Sequence, residues 1–546
     1  MKTNKTVILL LISTILQFIC LFLSSYLVDQ SINYDYICSI GLLILLTNTL
    51  FLINIITTRI FSIFFLTIII LQLVHYILVG EYLTTETLMN IPCYTSINVY
   101  ILLKAISTII LFYLFWLPNI LYPKIQKNKF TVFFSILLIS FMFYTKPIKS
   151  FFYALYESYD ILSSNTFFDV AISKQFERLT IPQGISPING KNNNIVLIFT
   201  EGTSRRAILP DITPNTFQLL EKSFCVDNYF NHTAPTYRGV RGQLISGYQL
   251  NGVRIHHRLK ANPKLSEIPS LHKILEKHGY KTCFISSQPT QDDFNEMLLN
   301  MGFQKVIIDK ETKRIKTDKE VYAQLFKTIS EYESKKEKYL VCTYLQGTHV
   351  YYSDPDSIKY KDGSNSCLNK FYNQDYWFGN FLKNMEDNNY FDNTILVYTT
   401  DHSTYPTPDF NKSFNSKHKS FVDRVPLVFY KKDIVPQHFN ANNKNSLSLT
   451  PTILNILGIE NEKNYFLGNS LFAKDESIYQ RLSMRKDTVV DTSEGEARTV
   501  TNPNDFDLLQ NNERLYKEHS KEEEEKKYNK VQEILKKIQI YYNLFG

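Results

Sequence analysis

Long apolar runs are confined to about the first 150 residues, and the rest of the chain alternates short apolar runs with polar segments. Five of the long runs are each near the ~20 residues that a helix needs to cross a bilayer core. They lie at 6–28, 37–57, 60–80, 98–121 and 130–147. The pattern predicts an N-terminal transmembrane domain of five helices over 1–147. The first run is longer than the apolar part of a signal peptide and lacks a small-residue cleavage site, so we expect it to remain as a span.

The charges between these runs predict their orientation. Loops on one side of the predicted membrane carry basic residues, namely Lys2, Lys5, Arg59, Lys124, Lys127 and Lys129. Loops on the other side carry acidic residues and no lysine or arginine, namely Asp29, Asp35, Glu81 and Glu86. Because basic loops stay in the cytoplasm, we expect the N-terminus inside and everything after about residue 148 outside, on a bacterial cytoplasmic (inner) membrane.

The remainder of the chain, from residue 148, has the pattern of a soluble α/β domain. After a partly helical connector over 148–193, short β-rich apolar runs alternate with amphipathic segments. The predicted strands are 194–200, 281–286, 339–344 and 393–399, and the predicted helices are 214–223, 268–279 and 368–388. This alternation predicts a doubly wound, mostly parallel sheet over 194–516, followed by a charged C-terminal helix over 517–546.

Composition narrows the function classes. The 546 residues suggest two to four domains, and 44% hydrophobic with 20% charged residues excludes a disordered chain. The net charge of +7 is spread thinly, without a dense basic block, which argues against nucleic-acid binding. Four of the seven cysteines fall in the outer domain, where up to two disulfides are permitted but the sequence cannot pair them; they are Cys225, Cys283, Cys342 and Cys367.

Polar residues follow three of the predicted strands. Glu201 comes directly after NIVLIFT, Asp401 and His402 come after NTILVYTT, and His349 lies in the QGTH segment after the 339–344 strand. Ligands in such sheets bind beyond the carboxyl ends of the strands. Oxygen and nitrogen ligands converging there predict a divalent metal site, Zn²⁺ or, if oxygen dominates, Mn²⁺.

A candidate nucleophile lies in the loop and helix that begin near His232. Thr236 is expected near the N-terminus of that helix, where free N–H groups favour an alkoxide or a phosphate. A threonine activated by the metal could attack phosphorus and hold a phosphoryl group covalently. The simpler alternative is that Thr236 is only an N-cap.

Seven segments together resemble one enzyme superfamily. They are NIVLIFTEG, TPNTFQLLEKS, TAPTYRGVRGQLISG, IPSLHKILEKHGYKTCFIS, YLQGTHVYY, TTDHS and LTPTILNILGI with LGNSLF. Their order and spacing resemble the alkaline-phosphatase/sulfatase superfamily, and within it the membrane-bound phosphoethanolamine and phosphoglycerol transferases. That group includes lipid A phosphoethanolamine transferases and lipoteichoic acid synthases, and the resemblance covers nearly the whole chain.

The resemblance implies roles for individual residues. It implies a metal held by four of them, which are Glu201, Thr236, Asp401 and His402. It also implies that His349 and His418 contact the substrate phosphate, where either histidine could protonate a leaving alcohol. His418 lies a few residues farther from His402 than is usual in the family.

Some positions depart from the family or leave alternatives open. The family's "DHGE" becomes Asp401-His402-Ser403-Thr404, which puts a second metal-binding carboxylate in doubt. Thr233 is a rival nucleophile to Thr236. Arg238 and Arg241 are candidates to bind phosphate, or are ordinary exposed arginines.

The function implied is transfer of a phosphoethanolamine head group from a membrane phospholipid to an envelope glycan or lipid, through a phospho-threonine. The QGTH segment favours ethanolamine, whereas the C-terminal segment and the lack of a clear cysteine framework favour glycerol, as in lipoteichoic acid synthases. A phosphodiesterase or phosphatase that uses water as acceptor remains open. Neither candidate nucleophile is Cys or Ser, so formylglycine cannot form and sulfatase activity is disfavoured.

Overall fold

The structure is a computed structural model that forms two compact units. One unit is built from residues up to Ser163, and the other from Ser164–Asn502 together with Asn512–Gly546. The residues it describes are 12–23, 34–53, 55–79, 82–83, 88, 106, 109–110, 128–163, 174–249, 268–289, 293–308, 314–350, 352, 354–355, 357–418, 420–485, 488–495, 497–499 and 520–545.

The first unit is helical. Its helices are α1 (Ile12–Leu23), α2 (Tyr34–Leu52), α3 (Ile56–Val79), α4 (Lys129–Phe143) and α5 (Lys146–Ser163). Leu43, Phe65, Ile69 and Met142 are buried where these helices pack together. The unit therefore has an apolar core of its own.

The five predicted spans are not confirmed by the described residues. Among the described residues, one segment, Ile56–Tyr76, is long and apolar enough to cross a membrane, with a mean hydropathy of 2.0. The pair α4 and α5, bent by 63° at a short break, would be a second if it forms one span. Most of the predicted 98–121 span lies outside the described residues.

The second unit is built on the predicted mostly parallel α/β sheet. Within the described residues this sheet has eight strands, in the order β4-β3-β5-β1-β6-β7-β2-β8. In chain order they are β1 (Asn194–Thr200), β2 (Phe224–Asp227), β3 (Lys281–Ile285), β4 (Lys305–Ile307), β5 (Tyr339–Tyr344), β6 (Thr394–Thr400), β7 (Val428–Tyr430) and β8 (Gln437–Asn440). β7 alone is antiparallel to its neighbours, β6 and β2. The four predicted strands are confirmed at the centre of this sheet.

Helices cover both faces of the sheet. They are α6 (Pro214–Glu221), α7 (Thr236–Ile245), α8 (Leu271–Lys277), α9 (Asp293–Met301), α10 (Asp318–Ser334), α11 (Ser366–Asp387), α12 (Pro408–Ser413) and α13 (Leu449–Leu457). Alternate residues of β1 point to opposite faces. Ile195 and Leu197 join a core with residues of α7, α8 and α13, whereas Val196 and Ile198 join a core with residues of α6, α10 and α11. All seven residues of β1 are buried, which places its carboxyl end in the middle of the domain.

A smaller sheet and a C-terminal helix complete the unit. The antiparallel sheet contains β9 (Leu482–Arg485), β10 (Thr488–Asp491) and β11 (Arg498–Thr499). The predicted charged tail forms the helix α14 (Lys521–Phe545). One apolar stripe of α14 is buried in the core beside α7; it consists of Val531, Ile534, Ile538 and Tyr541.

The four cysteines of the second unit form no disulfide in the structure. Cys225, Cys283 and Cys342 are buried free thiols, and Cys367 is a partly buried one. Burial in the apolar core raises the pKa of the Cys283 thiol to about 12. The permitted disulfide framework is therefore not used.

Candidate active site

Three of the four predicted metal ligands, Glu201, Asp401 and His402, meet at the carboxyl ends of two adjacent strands. β1 and β6 are parallel neighbours with Thr200 opposite Thr400, so Glu201 and Asp401 leave the sheet side by side. His402 Nε2 lies 3.6 Å from Glu201 Oε1 and 3.4 Å from Asp401 Oδ2. All three side chains are buried, and their candidate ligand atoms lie within 4.8 Å of one another.

One oxygen of Asp401 is held by the backbone, and the other faces the cluster. Oδ1 accepts hydrogen bonds from the N–H of Gly202 at 2.8 Å and of His402 at 2.7 Å. Oδ2 has no hydrogen-bond partner among the described residues. Burial, and next the neighbouring Glu201 carboxylate, raise the pKa of Asp401 to about 7. Two buried carboxylates thus lie side by side, and the group nearest to both is the imidazole of His402.

This arrangement fits a divalent cation. The ring Nδ1 of His402 donates to the carbonyl of Ser403 at 2.7 Å, which directs Nε2 towards the two carboxylates. Burial opposes a charge on His402, but Asp401 and Glu201 together raise its pKa. Two carboxylates and one imidazole are an ordinary donor set for Zn²⁺ or Mn²⁺.

Thr236 lies directly beside this cluster. Its hydroxyl donates to Glu201 Oε2 at 3.0 Å and lies 3.5 Å from the hydroxyl of Tyr344. Thr236 is the first residue of α7, and the residue that precedes the helix is Pro235. The alternative that Thr236 is only an N-cap is therefore wrong.

The rival threonine has a different environment. Thr233 is 4% exposed, and its hydroxyl donates to the carbonyl of Met484 at 2.6 Å. That bond fixes the loop before α7 to the small sheet. Of the two threonine hydroxyls, the one on Thr236 is directed at the carboxylate cluster.

The loop after β5 brings His349 to the same place. Thr348 Oγ1 donates to the carbonyl of Glu201 at 2.5 Å, which ties this loop to the end of β1. Burial lowers the pKa of His349, and the nearby Glu201 carboxylate opposes that effect. His349 in turn helps to lower the pKa of Glu201, which burial alone would raise. The two side chains are thus electrostatically coupled.

His418 is buried in the loop before β7. Its Nε2 lies 3.9 Å from Asp423 Oδ2, and Arg206 Nε donates to that same oxygen at 2.6 Å. Burial lowers the pKa of His418. Among the described contacts, none joins His418 to Thr236 or to the three candidate metal ligands.

The two candidate phosphate-binding arginines are buried on α7. Arg238 is 2% exposed, and its guanidinium lies 5.5 Å from the ring centre of Tyr237. Arg241 is 3% exposed, and burial lowers its pKa to about 10, with Tyr541 of α14 nearby. The interpretation as exposed loop arginines is wrong for both.

Three further residues contribute to the site and were not found by sequence reasoning. The Tyr344 hydroxyl donates a short hydrogen bond to Glu201 Oε2. The ring of Tyr405 lies 5.0 Å from the ring of His402, and the guanidinium of Arg485 lies 5.3 Å from the ring centre of Tyr405. Tyr344 is the last residue of β5. The rule that ligands bind at the carboxyl ends of parallel strands, called the strand-end rule below, could therefore have found it. Arg485 lies in β9, more than 80 residues after His402, and no local signal marks it.

Comparison with known proteins supports the α/β fold. Residues 193–459 match the sequence model of the Sulfatase family. A protein in the alkaline phosphatase superfamily from Vibrio parahaemolyticus is similar at a TM-score of 0.51 and 16% identity, over 66% of this chain and 90% of that one. The lipoteichoic acid synthase LtaP from Listeria monocytogenes matches at a TM-score of 0.48 and 15% identity, over 63% of this chain and 96% of that one. The C-terminal periplasmic domain of EcEptC from Escherichia coli matches at a TM-score of 0.40 and 18% identity, over 55% of this chain and 92% of that one.

Proposed function

We propose that the domain containing residues 193–459, which match the Sulfatase family, belongs to the sulfatase/alkaline phosphatase superfamily and is a metal-dependent phosphoethanolamine transferase. The head group would pass from a membrane phospholipid to a hydroxyl of an envelope glycan or lipid, through a phosphodiester on Thr236. The observation that carries the proposal is the 3.0 Å hydrogen bond from the Thr236 hydroxyl to Glu201, within a buried Glu–Asp–His cluster.

The residues divide the work of the first step. Glu201, Asp401 and His402 would hold the cation, which when bound supplies positive charge that favours the Thr236 alkoxide and the phosphoryl oxygens. Thr236 Oγ forms a bond to phosphorus while the bond from phosphorus to the diacylglycerol oxygen breaks. The threonine proton leaves along the hydrogen bond to Glu201. His349 enters this step in its protonated form, donates that proton to the departing oxygen and becomes neutral.

The second step reverses these roles. The acceptor hydroxyl attacks phosphorus and gives its proton to His349, and Thr236 leaves and recovers its own proton. The donor phosphodiester and the product phosphodiester are chemically alike, so one set of groups serves both steps. Water in place of the acceptor alcohol would give a phosphodiesterase by the same route.

A membrane donor agrees with the apolar N-terminal region, residues 1–147. We propose that this region anchors the chain in a bacterial cytoplasmic membrane, with the catalytic domain on the outer side. The basic and acidic loops of the sequence support this orientation. Zn²⁺ is our first choice of metal, because imidazole and carboxylate are both common zinc ligands. Mn²⁺ is the second choice, because two of the three ligands are carboxylates.

Intact mass spectrometry tests the reaction. The protein is loaded with Zn²⁺ or Mn²⁺ and incubated with phosphatidylethanolamine or phosphatidylglycerol, alongside Thr236→Ala and the matched Thr233→Ala. We expect a covalent addition of phosphoethanolamine in the wild type and in Thr233→Ala, and none in Thr236→Ala.

Other outcomes would change the donor, the nucleophile or the acceptor in the proposal. An addition of phosphoglycerol alone would change the donor to phosphatidylglycerol. An addition that survives in Thr236→Ala and disappears in Thr233→Ala would move the nucleophile. Release of the free head group without any acceptor, at the rate of the full reaction, would make the enzyme a phosphodiesterase.

A further inference from the structure

The loop that carries His349 is bound at several of its described positions by one face of α11. This loop runs from the end of β5 to the start of α11, and three side chains in the first two turns of α11 bind it: Asn369, Lys370 and Asn373. Asn369 accepts from the N–H of Tyr360 at 2.9 Å and donates to the carbonyl of Gly363 at 2.8 Å. The far end of the loop is thus fixed by a neutral side chain.

Asn373 binds the middle of the loop. Its side-chain oxygen accepts from the N–H of Ile358 at 2.9 Å, and its side-chain nitrogen donates to Asp354 Oδ2 at 3.1 Å. Both asparagines therefore act more than four residues away from His349.

Lys370 binds the near end, at His349 itself. Its ammonium donates to the carbonyl of His349 at 2.8 Å and to the carbonyl of Val350 at 2.7 Å. The His349 carbonyl also accepts from the N–H of Tyr352 at 3.1 Å, within the same turn. Two adjacent carbonyls are thus directed at one cation.

The ammonium has a physical reason to keep these bonds. Burial lowers the pKa of Lys370 to about 8, against the raising effects of Cys367, Asp409 and Glu201. A buried charge is costly unless hydrogen-bond partners replace water. The two carbonyls supply these partners, so Lys370 holds the backbone of His349 as long as its ammonium group is charged.

We propose that Lys370 is a positioning residue for the transfer reaction, holding the backbone of His349 so that its imidazole faces Glu201 and the substrate phosphate. This inference rests on the proposed function, because it assigns His349 to proton transfer. Lys370 acts through His349, and its direct bonds are to the loop backbone. A misplacement of a catalytic group by about 1 Å can cost on the order of 100-fold in rate.

Three variants of the full chain test this role. Lys370→Met keeps the length of the side chain and removes its hydrogen-bond donors, whereas Lys370→Arg keeps both the charge and the donors. Asn369→Ala is the matched control, because it releases the same loop ten residues farther along.

Two measurements are made on each variant. The first is the rate of covalent addition to Thr236, with its dependence on donor concentration. We expect Lys370→Met to lower the maximal rate about 10- to 100-fold with KM changed less than threefold, Lys370→Arg to recover most of the rate, and Asn369→Ala to remain within about threefold of wild type. The second is hydrogen exchange of the peptide around 346–352, which we expect to be faster in Lys370→Met and unchanged in Asn369→Ala.

The two measurements separate the possible failures. If the wild type forms no adduct with either lipid, the proposed function fails, and the exchange data still decide whether Lys370 holds the loop. Wild-type exchange and a wild-type rate in Lys370→Met would overturn the positioning role. An equal loss of rate in Lys370→Met and Asn369→Ala would also overturn it, because loosening the loop anywhere would then slow the reaction.

Discussion

Gly239 packs directly on the backbone carbonyl of Asp401. A Cβ atom added at Gly239 would lie 2.2 Å from that oxygen, and the contact is with backbone, which cannot swing aside. Gln243, one turn later on α7, donates to the carbonyl of Thr400 at 2.9 Å. The helix that begins with Thr236 therefore packs against the end of β6 through Gly239 and Gln243.

We expect Gly239→Ala to separate Thr236 from the carboxylate cluster. The added methyl group must push α7 away from Asp401 by about 1 Å, a displacement that can cost on the order of 100-fold in rate. The rate of covalent addition to Thr236 measures the effect, and the melting temperature shows whether the domain remains folded. A folded Gly239→Ala protein with the wild-type rate would contradict this interpretation of the contact.

The Tyr344 hydroxyl orients the carboxylate that is proposed to bind the metal. It donates to Glu201 Oε2, the same oxygen that accepts from Thr236. Removing such a supporting hydrogen bond typically lowers metal affinity about 10- to 100-fold. We expect that loss in Tyr344→Phe, measured by calorimetric titration with Zn²⁺ and Mn²⁺.

A second buried tyrosine provides the control for Tyr344→Phe. Tyr248 donates to the carbonyls of Tyr479 and Leu482, outside the carboxylate cluster. Tyr248→Phe should lower stability by about 1 kcal/mol and leave metal affinity unchanged. Equal metal affinity in Tyr344→Phe and wild type would show that Glu201 needs no such support.

The central strands could be predicted because each is a continuous apolar run. β1 and β5 lie within one residue of their predicted bounds, since strands buried on both faces carry the strongest sequence signal. β4, β7 and β8 have only three or four residues, and their pairing depends on neighbours distant in sequence. The sequence therefore indicates the parallel centre of the sheet and not the short strands on either side of it.

The candidate site was partly predictable for a related reason. Glu201, Asp401 and His402 follow adjacent strands, so the strand-end rule alone brings them together. Arg238 and Arg241 are buried by tertiary packing, which no local pattern encodes, and for Arg241 a nearby group is Tyr541 of the distant helix α14. The link from Arg485 to His402 passes through the ring of Tyr405, a tertiary contact of the same kind.

Arg485 supplies positive charge close to the cluster. It is 5% exposed, and its charge opposes protonation of His402. A phosphodiester is an anion, so we expect Arg485→Met to raise KM for the donor about 10-fold, which corresponds to the roughly 1.4 kcal/mol of one charge-assisted contact. Steady-state kinetics with varied donor concentration measure this change.

Arg424 offers a matched control for Arg485. Its guanidinium also lies against an aromatic ring, 5.7 Å from the centre of Phe230, and donates to Asn228 and to the carbonyl of Gly495. Arg424→Met should affect stability and leave KM within about twofold of wild type. The charge at Arg485 would have no role in donor binding if both variants changed KM equally.

Metal removal should destabilise the catalytic domain. Without a cation, the buried carboxylates of Glu201 and Asp401 repel each other, as the raised pKa of Asp401 indicates. A ligand at 100 times its Kd stabilises the folded state by about 2.7 kcal/mol. We expect the melting temperature to fall on chelation and to recover on addition of Zn²⁺ or Mn²⁺.

Asp401→Asn separates this effect from nonspecific metal binding. The amide removes one of the two like charges, so the metal-free variant should melt at or above the temperature of the metal-free wild type. Added metal should then raise its melting temperature much less. A metal-dependent shift of wild-type size in Asp401→Asn would place the metal elsewhere in the protein.

His272 gives the domain a pH dependence that is independent of the active site. The ring is buried on α8, stacks on Phe303 with ring centres 3.9 Å apart, and its Nε2 lies 2.9 Å from the carbonyl of Met301. Burial, with a small contribution from Lys273, lowers its pKa from 6.5 to about 3. The folded state therefore takes up this proton far less readily than the unfolded state does.

The sign of the effect follows from that difference. Above about pH 6.5 the histidine is neutral in both the folded and the unfolded state, and it does not reduce the free energy of unfolding. As the pH falls from about 6.5 towards 3, the histidine is protonated mainly in the unfolded state, which is increasingly favoured. At pH 5 a single such histidine costs about 2 kcal/mol relative to neutral pH. Burial also lowers the pKa of His232 to about 3, so His232 adds a similar pH dependence.

We expect the melting temperature of His272→Gln to be lower than that of wild type at pH 7.5 and to fall less between pH 7.5 and pH 5. An equal fall in both proteins would show that His272 titrates normally in the folded state.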